Sequence, residues 1–404
     1  MAMCSSNMPN YHKILVHELA DMSYHLAGYG EYKEEAMIRL LGEGIERYAL
    51  LAGAKLYEKR VFRASYSDLQ GDPNVMPWDL IRIYTDEDYA RMKGKIAVGG
   101  ITRGDKISWL WCPSLFESGR EVCIPVQMLF TGLRPDGKRA EYPFIPGFSK
   151  GSAAHTDTKK ALRSAILESI EADAFMIRWY AKKRSRKVIL DDPILLDLMS
   201  GMLGDLDFEI IAYELTLPDM PAHAFGLGLL NEKEERPVVL LGCSAGLDPA
   251  KAIYRSLVEA LAIHYLASNG PVIAPDYYLA SVTEKDYTNL DSNVAYWADA
   301  SNAEAKRAFM RGLVEGEVPL SSLKNHASRD DDDLKYLLSR LKEASTYGVY
   351  LDITPPEVMD AGWRVVRVFF PELVQMSLPA YPYSGHPRLR RYGGVRNELP
   401  HPAP

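Results

Sequence analysis

The chain has 404 residues, 47% of them hydrophobic and 25% charged, with a formal net charge of −7. That is the composition of a globular chain with a sizeable core, and the acidic balance argues against a broad nucleic-acid surface. The four cysteines (Cys4, Cys112, Cys123 and Cys243) have no metal-ligand spacing, no N-terminal signal pattern is present, and no apolar run is long enough to span a bilayer, so a cytoplasmic location is expected.

Tyr11 to Met22 has a mixed apolar period and resists assignment. Ala27-Gly28-Tyr29-Gly30 reads as a loop leading into a helix from about Lys33 to Ala52. Strand-like pieces follow at Lys55–Ser65, Ile81–Tyr84, Ile107–Cys112 and Glu121–Phe130, with a turn at Arg134-Pro135-Asp136-Gly137. Pro143 to Thr158 is a Gly/Ser-rich approach to a second long helix, Ala161 to Trp179, which Thr156 or Asp157 can cap. Lys182 to Lys187 is a basic cluster expected at a solvated helix end. A short helix at Pro193–Leu203 precedes three strands, Asp207–Thr216, His223–Leu230 and Pro237–Cys243. Asp248-Pro249 then opens a third long helix. Helices at Ala303–Leu313 and Asp331–Ala344 and strands at Val349–Ile353 and Trp363–Phe370 complete a mixed α/β pattern. Arg329 to Asp333 reads as a solvated helix start. From Leu378 the chain is rich in proline and arginine, and Pro400, Pro402 and Pro404 alternate at its end. Alternating prolines favour an extended path.

The second long helix organises the rest. Glu168 and Glu171 lie three residues apart and share a face amid Ala165, Ile166, Leu167, Ile170, Ala172 and Phe175. A carboxylate in such surroundings either lies on a narrow solvated stripe or holds a cation. The stripe is the commoner answer for one isolated pair. The pattern recurs, however. An alanine precedes a glutamate by seven residues in all three long helices: Ala36 and Glu43, Ala161 and Glu168, Ala252 and Glu259. Seven residues are two turns, so each pair shares a face. Glu46 and Glu171 add a second acid three residues on; the third helix has Ala262 there. Carboxylates at matched depth suit a hard cation such as magnesium, which commonly also takes substrate phosphates. There is no P-loop, dinucleotide fingerprint, nucleophile elbow or HExxH.

GEGIER (Gly42–Arg47), SKGSAAH leading into ILESIEADAF (Ser149–Phe175) and GLDPAKAIYRSLVEA (Gly246–Ala260) together resemble the YcaO-domain family, in order and spacing, from about Gly28 to the C-terminus. VFRASYSDL (Val61–Leu69), TLPDMPAHA (Thr216–Ala224) and the terminal PHPAP are similar to its azoline-forming branch, the one that holds the YcaO subunit of microcin B17 synthetase. The resemblance implies one α/β YcaO domain over residues 1–404, with mixed sheets, long helices carrying paired glutamates around a nucleotide site, and a tail, 378–404, reaching that site. It implies an ATP- and Mg2+-dependent cyclodehydratase that turns Cys, Ser or Thr of a ribosomally made peptide into thiazoline or oxazoline by phosphorylating the amide oxygen. Related alternatives are thioamide or amidine formation, or a non-catalytic scaffold. By the resemblance Glu46, Glu168 and Glu171 match metal positions. Glu43, Arg47, Arg255 and Glu259 match nucleotide positions, and Lys160, where a glutamate is common, is a candidate for phosphate-directed charge. His155, Pro402 and Pro404 are candidates for catalysis. Tyr29, Leu40, Lys160, Ala172 and Ala262 depart from the family pattern. The first glutamate helix begins near Lys33, which leaves no room upstream for leader binding. The expected partners are therefore the precursor peptide, a leader-binding subunit and a flavin-dependent azoline dehydrogenase, with no nucleic acid and no membrane.

Overall fold

The computed structural model describes residues 1–15, 25–131, 141–233, 235–273, 275–283, 285–288, 290–328 and 332–403. Thirteen strands lie among them. β1 (Ala2–Asn7) and β2 (His25–Gly30) form an antiparallel pair. β3 (Phe62–Ser65), β4 (Lys106–Pro113) and β5 (Glu121–Pro125) form an antiparallel sheet in that order. β6 (Ser152–His155), β12 (Val349–Asp352) and β13 (Arg364–Phe369) form a third sheet, ordered β12-β13-β6. β7 (Ser185–Ile189), β8 (Phe208–Glu214), β9 (His223–Asn231), β10 (Val239–Gly246) and β11 (Val314–Pro319) form the largest, ordered β10-β9-β8-β7-β11, with only the β11–β7 pair parallel.

The expected central helix runs Thr158–Tyr180. Asp157 caps it, accepting from the backbone N–H of Lys159 at 2.8 Å and Lys160 at 3.0 Å. It packs on β6 and β13 on one side and on β9 and β10 on the other. Being covered on two faces, it is apolar almost all round; Ala165, Ile166, Ile170, Ala174, Met176 and Ile177 are fully buried. The first glutamate helix, Lys33–Leu56, lies on β2 and β6, and the third, Pro249–Ile273, lies on β10 and β9. Two glycines permit these contacts. A Cβ at Gly28 would stand 1.9 Å from the carbonyl oxygen of Ala36, and one at Gly242 would stand 2.1 Å from that of Ser256. Only a residue without a side chain lets strand and helix backbones touch there.

Several expectations are corrected. Ala27–Gly30 is the end of β2, not a loop, because β1 supplies it with a hydrogen-bonded partner. The first helix continues to Leu56, so only Phe62–Ser65 of the Lys55–Ser65 run is strand. Ile81–Tyr84 is not a strand; Trp78–Ile81 forms a short helix there. Of Lys182–Lys187, expected at a solvated helix end, Lys182–Arg184 are exposed just past the helix, while Ser185–Lys187 already belong to β7. Asp333 is not solvated: it is buried and accepts from Arg163 Nη1 at 2.8 Å. The Arg134–Gly137 turn lies outside the described residues.

Candidate active site

Three strand-to-helix units build the site in the same way. The backbone N–H of Ala27, in β2, donates to Glu43 Oε2 at 2.8 Å. That of Cys243, in β10, donates to Glu259 Oε2 at 2.8 Å. That of Gly151, beside β6, points to Glu168 Oε2 at 3.4 Å. The acceptor follows its donor by 16, 16 and 17 residues. Each unit thus turns one carboxylate inward from a helix that rests on its own strand.

The acids share one electrostatic basin. Burial pushes the Glu46 carboxyl up to about 8, with the neighbouring Glu168 charge adding to it. Burial, then Glu171, pushes Glu259 up to about 7. Glu168 is raised as well, by burial first. Ser152 Oγ donates to Glu46 Oε1 at 2.6 Å, and Lys150 Nζ to Glu171 Oε1 at 2.8 Å. Burial alone would favour neutral Lys150. The charges of Glu171, Glu168 and Glu259 together outweigh it and hold the ammonium well above its ordinary value. Glu46, Glu168 and Glu259 are walled by protein yet still touched by solvent, as at the floor of a cleft.

Arg367 underpins the same loop. From β13 its guanidinium donates to the carbonyls of Ser149 at 2.8 Å, Lys150 at 2.6 Å and Phe148 at 3.3 Å. It is 1% exposed, its Nε has no partner, and burial lowers it to about 10. Tyr29 joins from β2; burial, then Glu259, raises its phenol. Among the described residues no three His, Cys, Asp or Glu side chains make a formed metal cage. The donor set nonetheless fits a divalent cation. Its oxygens are hard, its five acids repel one another, and Lys150 with Arg47 does not balance them.

Of the candidates named from sequence, Glu43, Glu46, Glu168, Glu171 and Glu259 face this basin. Arg47 lies beside it, 3.4 Å from Glu43 Oε1, and its charge acts on Glu46 and Glu168. Arg255 stands one turn above Glu259 on the third helix. Lys160 is exposed in the first turn of the central helix. The His155 ring turns into that helix's opening bend, where Nδ1 accepts from Asp157 N–H at 2.9 Å. Ala172 and Ala262 are buried. Lys150, Ser152, Tyr29 and Arg367 were not read as site residues. Lys150 and Ser152 stood inside the SKGSAAH loop, and Tyr29 stood out only as a departure from the family pattern. Arg367 lay in an apolar strand and gave no signal at all.

The C-terminal segment folds back along the central helix. Arg396 and Asn397 N–H groups donate to the Tyr180 carbonyl at 2.7 and 3.0 Å. Trp179 Nε1 donates to the Leu399 carbonyl at 3.0 Å, and the His401 ring meets Phe175 edge-on at 5.8 Å. The tail therefore runs from the helix's C-terminal end toward Glu171. The helix Leu290–Ala298 covers it: Trp297 Nε1 donates to Pro400 O at 2.8 Å, and Asn293 Nδ2 to His401 O at 2.6 Å and Ala403 O at 2.7 Å. Pro402 is buried; Pro404 lies outside the described residues. A buried clamp fixes the segment upstream. Arg388 reaches Asp173 of the central helix at 2.8 Å and Asp219 of the TLPDMPAHA stretch at 2.6 Å.

The family described as YcaO cyclodehydratase, ATP- and Mg2+-binding, matches residues 27–374. Solved structures share the fold. A heterocyclase in complex with substrate and cofactor aligns with a TM-score of 0.69 at 20% identity, over 87% of this chain and 45% of that one. The heterocyclase TruD aligns at 0.62 and 20% identity, over 90% and 48%. The chain spans about half the length of these two proteins. YcaO from Methanopyrus kandleri, bound with AMPPCP and Mg2+, aligns at 0.60 and 16% identity, over 87% and 79%. The E. coli microcin synthetase McbBCD complex with pro-MccB17 bound aligns at 0.61 and 14% identity, over 100% and 96%. No curated protein sequence matches the chain. Among the described residues no helix is long and apolar enough to cross a membrane.

Proposed function

This chain belongs to the YcaO family of ATP- and Mg2+-binding cyclodehydratases, and from that premise we propose that it forms azolines in a ribosomally made peptide. The observation that carries the reading is the acidic basin itself. Three helices deliver Glu43, Glu46, Glu168, Glu171 and Glu259 to one cleft, where Glu46 and Glu259 are held far above ordinary carboxyl values. Burial of so much like charge is costly without a cation.

In this reading Glu46, Glu168 and Glu171 hold Mg2+, and Glu43, Arg47, Lys160, Arg255 and Glu259 contact the nucleotide. ATP, when bound, supplies the phosphoryl group that converts the amide oxygen into a leaving group. The residues of the chain position and neutralise. Lys150 spreads positive charge over Glu171 and Glu168. Arg367 fixes the carbonyls of residues 148–150, and with them the Gly151 N–H that faces Glu168. The attacking Cys, Ser or Thr loses its proton, the new ring carbon–heteroatom bond forms, the amide oxygen departs as phosphate, and loss of the amide proton completes the C=N bond. The net change is one water per ring. The tail is the candidate for the base. Its path toward Glu171 supports a role for Pro404, with Pro402 stiffening the approach; His155 is the second candidate.

The partners that follow are a precursor peptide, a leader-binding subunit and a flavin-dependent azoline dehydrogenase, in the cytoplasm. The test incubates the chain with candidate peptides, partner proteins and Mg–ATP and follows mass. Loss of one water per ring is expected, and the E168A and E171A variants should retain the fold while losing ATP consumption. Exchange of oxygen for sulfur or nitrogen would instead indicate thioamide or amidine formation. A chain that binds no nucleotide would be a scaffold.

A further inference from the structure

Each glutamate helix also carries an arginine in its second turn. Arg39 precedes Glu43 by four residues, Arg255 precedes Glu259 by four, and Arg163 precedes Glu171 by eight. Those spacings are about one and two turns, so each arginine stands on its acid's face, nearer the helix N-terminus. Three converging helices thereby stack a basic layer on the acidic one.

The basic layer is built, and it is left incomplete. Arg163 is anchored by Asp333 at 2.8 Å, and that buried acid is itself held by the Ser328 N–H at 2.7 Å. Arg39 is anchored by Glu35 at 2.6 Å, and its guanidinium carbon lies 5.8 Å from the Tyr29 ring centroid. Arg163 Nε is buried and has no partner. Arg255 has no hydrogen-bond partner among the described residues. Its side chain reaches solvent; partial burial, and then the charges of both Arg39 and Arg163, lower its pKa, with Glu171 as the opposing charge. Cations are thus crowded together with donors to spare, one layer above five acids that outnumber Lys150 and Arg47, the cations beside them. A ligand carrying both signs satisfies both layers: a polyphosphate with its bound divalent cation.

We propose that Arg39, Arg163 and Arg255 form an oxyanion cradle for the terminal phosphates of the nucleotide, with Asp333 and Glu35 orienting two of its three forks. The proposal rests on the nucleotide-binding part of the function above and adds Arg39 and Arg163 to the binding residues. Planar guanidinium forks match phosphate oxygens two at a time. The cradle therefore reads the number of phosphates, while the nucleoside is held elsewhere.

The test is calorimetric titration of ATP, AMP and inorganic tripolyphosphate, each with Mg2+, into the intact chain and the variants R39M and R163M. Tripolyphosphate should bind the unaltered chain. Each variant should weaken ATP and tripolyphosphate roughly tenfold to a hundredfold, as loss of a charge-assisted contact does, and should change AMP by less than about threefold. R39K and R163K should recover part of the loss. R163M leaves buried Asp333 without its cation, so R163M/D333N, which removes that charge, serves as the folding control and should bind as weakly as R163M. Unchanged tripolyphosphate affinity in R39M and R163M, or AMP weakened as much as ATP, overturns the proposal. Arginine-dependent tripolyphosphate binding in a chain that cyclises no peptide would uphold the cradle and refute the cyclodehydratase reading.

Discussion

Acid should release the C-terminal tail, and His401 sets where. The His401 ring is fully buried between Phe175, Tyr180 and Asn293, with Nε2 donating to the Ser377 carbonyl at 3.0 Å. Nδ1 faces the Asn293 amide nitrogen at 3.4 Å, and the Ser377 and Ala403 carbonyls offset only part of the cost of charging a buried ring. Burial lowers its pKa from 6.5 to about 4. The docked tail thus binds fewer protons than the free tail, and docking loses stability as pH falls from 6.5 toward 4. Linkage gives a loss of about 2 kcal/mol at pH 5 and a limit of about 3.4 kcal/mol. The assay is hydrogen exchange of residues 396–403 between pH 7.5 and 4.5, corrected for intrinsic rates. The intact chain is compared with H401Q, whose amide can still donate to Ser377. His386, also lowered to about 4 by burial, titrates in both proteins, so their difference isolates His401. Protection in the intact chain should fall about thirtyfold more than in H401Q by pH 5. Equal losses in the two proteins, or a His401 pKa above 6 by NMR, would refute the reasoning.

The other predictions concern the acids, the clamp and the tail itself. In buffer freed of divalent cations, E46Q should be more stable than the intact chain. Glu46 titrates near 8 folded against 4.5 unfolded, so the gap opens above pH 4.5 and is complete beyond 8. Its ceiling is about 5 kcal/mol, reduced by the solvent that reaches the carboxylate; denaturant titration at pH 4.5 and 8.5 measures it, and a pH-independent difference counts against the shift. R388M should cost about 3–5 kcal/mol, because Asp173 is left buried without its cation; a loss under 1 kcal/mol in the same denaturant titration would contradict the clamp. Deleting Pro400–Pro404 should lower cyclisation by orders of magnitude and nucleotide affinity far less. Equal cyclisation rates in the truncated and intact chains would leave the tail without a catalytic role.

The sequence by itself carried the helices of the site. Periodicity, the Asp157 cap and the Asp248-Pro249 start placed all three long helices, and the seven-residue alanine-to-glutamate spacing set the acids on common faces. These are local properties: a repeat of 3.6 residues and a capping side chain act within a few turns. The consecutive strands from Phe208 to Gly246 were legible for the same reason. Short strands and helix ends were not. Ile81–Tyr84 had strand-like composition but joins no sheet, and Ala27–Gly30 became strand only because β1 pairs with it.

Tertiary structure decided what the acids face. That Ala27, Gly151 and Cys243 each turn a backbone N–H toward a glutamate 16 or 17 residues on follows from helices lying directly on strands, which no local pattern encodes. Lys150 is ordinary in sequence; only three acids from two other elements keep it charged while partly buried. Arg367 sat in a run of valines and phenylalanines, and its role depends on carbonyls more than two hundred residues away in the chain. Asp333, read as a solvated helix start, is buried because Arg163 of the central helix reaches it. Charges are placed by whatever long-range packing brings beside them. Sequence therefore determined which faces were acidic, and the fold determined that those faces meet.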